Sequence, residues 1–147
     1  LWQTRHVPAG PAPAFAGPLA AGGQGSLAAW RAAHPGGPVA VYFWADWCPI
    51  CKAQQGSVSS LAEDWPVLTV AMQSGDAADV AKVLAERGLA WPTVVDEDGA
   101  ITARYGLAGV PALAVVGADG QLRAGAVGCT AALGVQLRLW WAKVVTG

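Results

Sequence analysis

Apolar residues recur along this chain in two rhythms, short unbroken runs and helical stripes. Val39-Ala40-Val41-Tyr42-Phe43-Trp44 is uncharged, rich in β-branched and aromatic residues, and breaks at Asp46, which predicts a buried strand. A helix is predicted to follow, running to about Asp64, with Cys51, Val58, Leu61, Ala62 and Trp65 marking an approximate apolar face and Pro66 ending it. Gly56 in its interior costs roughly 1 kcal/mol relative to alanine, so a kink or close packing is expected there. Val67-Leu68-Thr69-Val70-Ala71-Met72 reads as a second buried strand. Ser74-Gly75-Asp76 then opens a second helix through Val80, Val83 and Leu84, stopping at Gly88. The βαβα order favours a parallel sheet.

Trp91-Pro92-Thr93-Val94-Val95-Asp96 predicts a short strand, Glu97-Asp98-Gly99 a turn, and Ala100 to Tyr105 a weak helix. Gly109-Val110-Pro111 leads into a strand over Ala112 to Val116, and Ala118-Asp119-Gly120 signals a hairpin into Leu122 to Val127. Leu133, Leu137, Trp140, Trp141 and Val144 form one apolar stripe of a terminal helix, so the two tryptophans are expected in core packing, with a membrane-interface or partner patch as the alternative. At the other end, Leu1 to Gly25 is dense in proline, glycine and alanine, too irregular for a long helix or a central strand, and is expected to be an extended tether or an arm laid over the domain. Ser26 to His34 can form a short helix, with Ser26 as N-cap, His34 as a C-terminal cap, and Pro35-Gly36-Gly37-Pro38 as the stop. The expected organisation is therefore an N-terminal extension over residues 1–37 and a folded domain over 38–147.

Composition narrows the partners. The 147 residues suit one domain with a full core. Charged residues make up only 13 % and the net charge is -1, so nothing attracts a phosphate backbone and nucleic acid is not an expected partner. No stretch reads as a membrane span: Val7 to Trp30 lacks charge but is broken by Pro8, Pro11, Pro13 and Pro18. The sequence starts at Leu1 rather than Met, as expected of a trimmed or processed chain in which a signal peptide or anchor is not seen.

The chemistry centres on Trp47-Cys48-Pro49-Ile50-Cys51. A Cys-x-x-Cys at a strand-to-helix transition is a redox signature when a βαβ pattern surrounds it. Cys48 would lie at the helix start, where unpaired N–H groups and the positive end of the macrodipole favour thiolate over thiol. Pro49 suits the first helical turn. Cys51, about one turn further in, could close a disulfide with Cys48 and resolve a mixed disulfide with a client. Zinc would need two more ligands, and Cys129, His6 and His34 have no paired spacing. A purely structural disulfide across two residues constrains the unfolded chain little. Pairing Cys48 with Cys51 leaves Cys129 single, expected as a simple thiol.

Phe43-Trp44-Ala45-Asp46-Trp47-Cys48-Pro49-Ile50-Cys51, with Gly109-Val110-Pro111 some sixty residues later before a strand, resembles the thioredoxin superfamily over roughly Pro38 to Val145. The helical insertion between Met72 and Trp91 and the segment Trp91 to Gly99 resemble its TlpA/ResA/DsbE-like branch. Cys48-Pro49-Ile50-Cys51, Val67 to Gly75 and Leu137-Arg138-Leu139-Trp140-Trp141 are similar to ScsD-type protein disulfide oxidoreductases. The resemblance implies a thioredoxin fold: an α/β domain with a central mixed sheet flanked by helices. It also implies an exposed nucleophile at Cys48, a buried resolving thiol at Cys51, and a cis-proline at Pro111 facing the disulfide. Trp47, Pro49, Ile50, Val110 and Pro111 would shape the site and bind clients, with Trp44 in the core.

The same resemblance implies a bacterial, periplasmic enzyme tethered to the inner membrane by an N-terminal helix, exchanging dithiol and disulfide with protein clients. It would act as a reductase fed by a membrane electron-transfer partner, with no cofactor and no metal. The alternatives are a disulfide-introducing oxidase and a Cu(I)-binding copper-tolerance module using Cys48 and Cys51. A peroxidase is disfavoured, because the Thr-x-x-Cys motif is missing. Two departures stand out. Thioredoxins carry a buried aspartate where this chain has Tyr42, and ResA-like proteins a glutamate where it has Gln54. Deprotonation of Cys51 would then rely on water, on Lys52, or on the client thiolate, with Asp46 a solvated and poor shuttle.

Overall fold

The computed structural model describes residues 10–127, with side chains as far as Arg123. The expected terminal helix with Trp140-Trp141, and Cys129, fall outside the described residues. Elements follow the order β1 (Ala16–Pro18), β2 (Gln24–Ser26), α1 (Leu27–Ala33), β3 (Val39–Trp44), α2 (Pro49–Asp64), β4 (Val67–Met72), α3 (Ala77–Glu86), β5 (Thr93–Asp96), α4 (Ala100–Arg104), β6 (Ala112–Val116) and β7 (Leu122–Val127).

Five strands form one mixed sheet in the order β5-β4-β3-β6-β7. β3 pairs parallel with β4, and β4 with β5, as the βαβα pattern requires; β6 runs antiparallel to both β3 and β7. Every residue of β3 is buried, because both faces of this central strand are covered. Alternate side chains therefore enter two cores. Tyr42 and Trp44 join Cys48, Cys51, Val58 and Leu61 of the α2 side, with Val80 and Leu84 of α3. Val41 and Phe43 join Ile101 and Tyr105 around α4, with Leu27 of α1.

The N-terminal segment crosses the second of these cores. Ala12 N–H donates to Gly120 O in the β6–β7 turn, and Ala20 N–H donates to Thr93 O of β5. Between them Phe15 is buried edge-on to Tyr105, with ring centroids 6.0 Å apart. Arg104 and the Tyr105 hydroxyl donate to the carbonyls of Ala14 and Pro13, at 3.1 and 2.8 Å. From residue 10 onward the described part of the segment lies on the domain, and it adds a small antiparallel hairpin, β1–β2, that its proline and glycine content hid.

Caps set the helix ends. Ser26 Oγ accepts from Ala29 N–H at 3.0 Å, and His34 ends α1 with Nδ1 2.9 Å from Trp30 O, the cap expected of it. Asp76 and Asp79 cap α3 reciprocally. Asp76 is held below the usual carboxylate range, chiefly by the Asp79 N–H it accepts. Of the kink or close packing expected at Gly56, close packing is not found: the residue is exposed and a Cβ there would meet nothing within 4 Å. It lies on the solvent side of α2, where lacking a side chain costs helix propensity but no contacts.

Candidate active site

The site forms where β3 ends and α2 begins. Cys48 is the N-cap of α2 and Pro49 opens its first turn, where a missing N–H leaves no bond unmade. Cys48 and Cys51 are joined as a disulfide. Cys48 Sγ also accepts the Cys51 N–H at 3.1 Å and lies 3.8 Å from the Val110 carbonyl oxygen. The peptide from Val110 to Pro111 is cis. Cys48 therefore meets the loop that carries the cis peptide, although 62 positions separate Cys48 from Val110.

Cys48 is only 6 % exposed, against 3 % for Cys51, so the expected exposed nucleophile is buried in this oxidised form. The reason is local. Bonded to Cys51 and facing the Val110 loop, its sulfur is turned away from solvent. What stands in solvent is the rim: Trp47 at 57 % and Ile50 at 45 % are the exposed large apolar side chains among the described residues. Trp44 is buried, its indole N–H donating to Thr69 Oγ1 at 3.0 Å.

The electrostatics are those of a helix start. A thiolate on Cys48 would face the first N–H groups and the positive end of a 16-residue helix, which favour negative charge there. Around Cys51 the buried polar neighbours are uncharged: Gln54 lies three residues on along the buried stripe of α2, and the Tyr42 hydroxyl donates to its Oε1 at 3.3 Å. Lys52, next in sequence, is exposed while Cys51 is buried. Asp46 is half-buried and borders an open groove of about 410 Å³ with Ser74, Asp79, Lys82 and Glu86. Among the described residues no three His, Cys, Asp or Glu side chains converge as a metal site.

Sequence reasoning missed the residues that hold this loop. Ser74 and Arg87 bond the backbone of Asp46, and the Gln73 carbonyl bonds Trp47. Their separations, from 26 to 41 residues, leave no local signal.

A family model described as Redoxin matches residues 8–131, most of the chain. The chain belongs to the Redoxin family. Among its relatives is a "Thioredoxin-like protein" of Haemophilus influenzae, 29 % identical over 82 % of this chain and 72 % of that protein. In fold this Redoxin matches a Chlorobium tepidum protein described as a candidate thiol:disulfide interchange protein DsbE, with TM-score 0.80 and 24 % identity over 94 % of this chain and 98 % of that one. It also matches a secreted Mycobacterium tuberculosis disulfide oxidoreductase homologous to DsbE of E. coli, with TM-score 0.67 and 26 % identity, covering 85 % and 95 % of the two chains. Family and fold place this Redoxin in the thioredoxin superfamily, on its TlpA/DsbE-like branch. With its paired cysteines it is a protein-disulfide oxidoreductase.

Proposed function

We propose that Cys48 is the attacking sulfur, Cys51 the resolving one, and the clients are proteins outside the cytoplasm whose disulfides this enzyme reduces. The Cys48 thiolate attacks one sulfur of a client disulfide, releasing the other as thiolate and forming a mixed disulfide. Cys51 then attacks Cys48 Sγ, which expels the reduced client and closes the Cys48–Cys51 bond. Two electrons and two protons pass to the client, and a membrane electron-transfer partner restores the dithiol.

The observation that carries this reading is the placement of Cys48 at the start of α2, accepting the Cys51 N–H, between the exposed rim of Trp47 and Ile50 and the Val110 carbonyl. That rim offers apolar surface to a client chain, and Val110 offers backbone. The reductive direction rests on the ScsD-like resemblance. The extracytoplasmic setting rests on relatives such as the secreted mycobacterial oxidoreductase. Among the described residues no helix is long and apolar enough to cross a membrane. The test is the equilibrium potential of the Cys48–Cys51 pair against glutathione in the Cys129→Ser protein. A value of about -270 mV or lower supports a reductase; a value of about -120 mV reverses the direction; a pair that does not cycle rejects the reading.

A further inference from the structure

The backbone of Asp46, two residues ahead of Cys48, is held at both its N–H and its C=O by side chains remote in sequence. Asp46 N–H donates to Ser74 Oγ at 2.9 Å, and Asp46 O accepts from Arg87 Nη2 at 2.8 Å. One residue on, the Trp47 indole N–H donates to the Gln73 carbonyl at 3.0 Å. All three partners flank α3: Gln73 and Ser74 lie in the connection from β4, and Arg87 is the C-cap.

Each partner is itself held in place. Ser74 is buried and its hydroxyl donates to Met72 O at 3.0 Å, which turns its oxygen lone pairs towards Asp46. Gln73 has φ +46°, a left-handed conformation rare for a residue with a side chain, and its N–H donates to Asp96 O at 2.8 Å. The strained residue is thus the one whose carbonyl meets Trp47.

An indole 57 % exposed has little packing to hold its rotamer. Left loose, it would lose conformational freedom each time a client bound, weakening binding; held in advance, it does not. We propose that Ser74 and Arg87 are positioning residues of the exchange reaction: they hold the Asp46 backbone so that Trp47 stands fixed beside Cys48 to receive the client chain. The inference rests on the protein-client reading above.

The test compares Ser74→Ala, Arg87→Met and Arg87→Lys in the full chain. The Trp47 indole N–H signal, identified by its loss in Trp47→Phe, is followed by NMR hydrogen exchange, and insulin reduction is measured with dithiothreitol as electron source. In Ser74→Ala and Arg87→Met the indole proton is expected to exchange at least tenfold faster. The KM for insulin should rise about fivefold while kcat falls less than twofold, and Arg87→Lys, which keeps a donor, should recover part of both. Indole exchange unchanged in folded variants, or a fall in kcat with KM held, overturns the proposal. If Ser74→Ala does not fold, Arg87→Met decides alone, because Arg87 is only half-buried. If the wild-type protein reduces no insulin, the functional reading fails, and indole exchange still judges the grip on Trp47.

Discussion

The Tyr42 hydroxyl donates to Gln54 Oε1 across 3.3 Å, within the buried layer that also holds Cys51. Both positions are those where related chains were expected to carry a buried carboxylate, and here they are bonded to each other as a neutral pair. Among the described residues the buried carboxylate is Asp96, and it is engaged elsewhere, accepting from Ile101 N–H, Thr102 N–H and the Thr102 hydroxyl at 3.0, 3.0 and 2.7 Å. Cys51 therefore has uncharged polar neighbours on its own helix face.

Gln54→Glu puts an ionisable group into that layer. Burial raises a glutamate above its ordinary value of about 4.3. A group raised in the folded state supports stability below the unfolded value and withdraws that support as pH rises through the folded one. The variant should match the parent most closely near pH 4 and fall behind by about 1–3 kcal/mol near pH 8. Urea denaturation at the two pH values measures this; a deficit independent of pH would show that residue 54 is wetter than the structure implies.

Tyr105 makes the opposite end of the chain sensitive to alkali. Burial pushes its phenol well above the ordinary value of about 10, while its hydroxyl donates to Pro13 O. Unfolding exposes a group that releases its proton more readily, so this contribution is complete below about pH 10 and is lost as pH rises beyond it. Tyr105→Phe should cost about 1 kcal/mol at pH 7 and show a shallower decline above pH 10 than the parent. Thermal unfolding across pH 7 to 11 gives both quantities, and parallel curves for the two proteins would refute the assignment.

Phe15 tests whether the N-terminal arm belongs to the folded unit. Its ring is buried against Tyr105 in the core beneath α4. Phe15→Ala should destabilise the protein by about 3–5 kcal/mol in chemical denaturation. A loss below about 1 kcal/mol would mean that the arm detaches without disturbing the sheet.

Much of this arrangement was legible because local rules and tertiary packing agree. Val39 to Trp44 is uncharged because β3 is the central strand with both faces covered, and that produces an unbroken apolar run. Pro49 after Cys48, and Asp76 before α3, mark helix starts by their own chemistry. The β1–β2 hairpin was not legible, since its three-residue strands are rich in glycine and proline and the residues flanking β1 are held by β5 and the β6–β7 turn. Nor were Ser74 and Arg87, whose role depends on where α3 docks. The burial of Cys48 followed from the bond to Cys51 and from the Val110 loop, a contact across 62 residues.

The most direct measurement uses reduced Cys51→Ser protein carrying Cys129→Ser, incubated with a disulfide-bonded protein and analysed by mass spectrometry. Attack by Cys48 with no partner to resolve it should accumulate a mixed disulfide linking Cys48 to the client, whereas Cys48→Ser with Cys51 intact should accumulate none. An adduct that forms equally well through Cys51 in the Cys48→Ser protein, or no adduct through Cys48 at all, would contradict the assignment of Cys48 as the attacking sulfur.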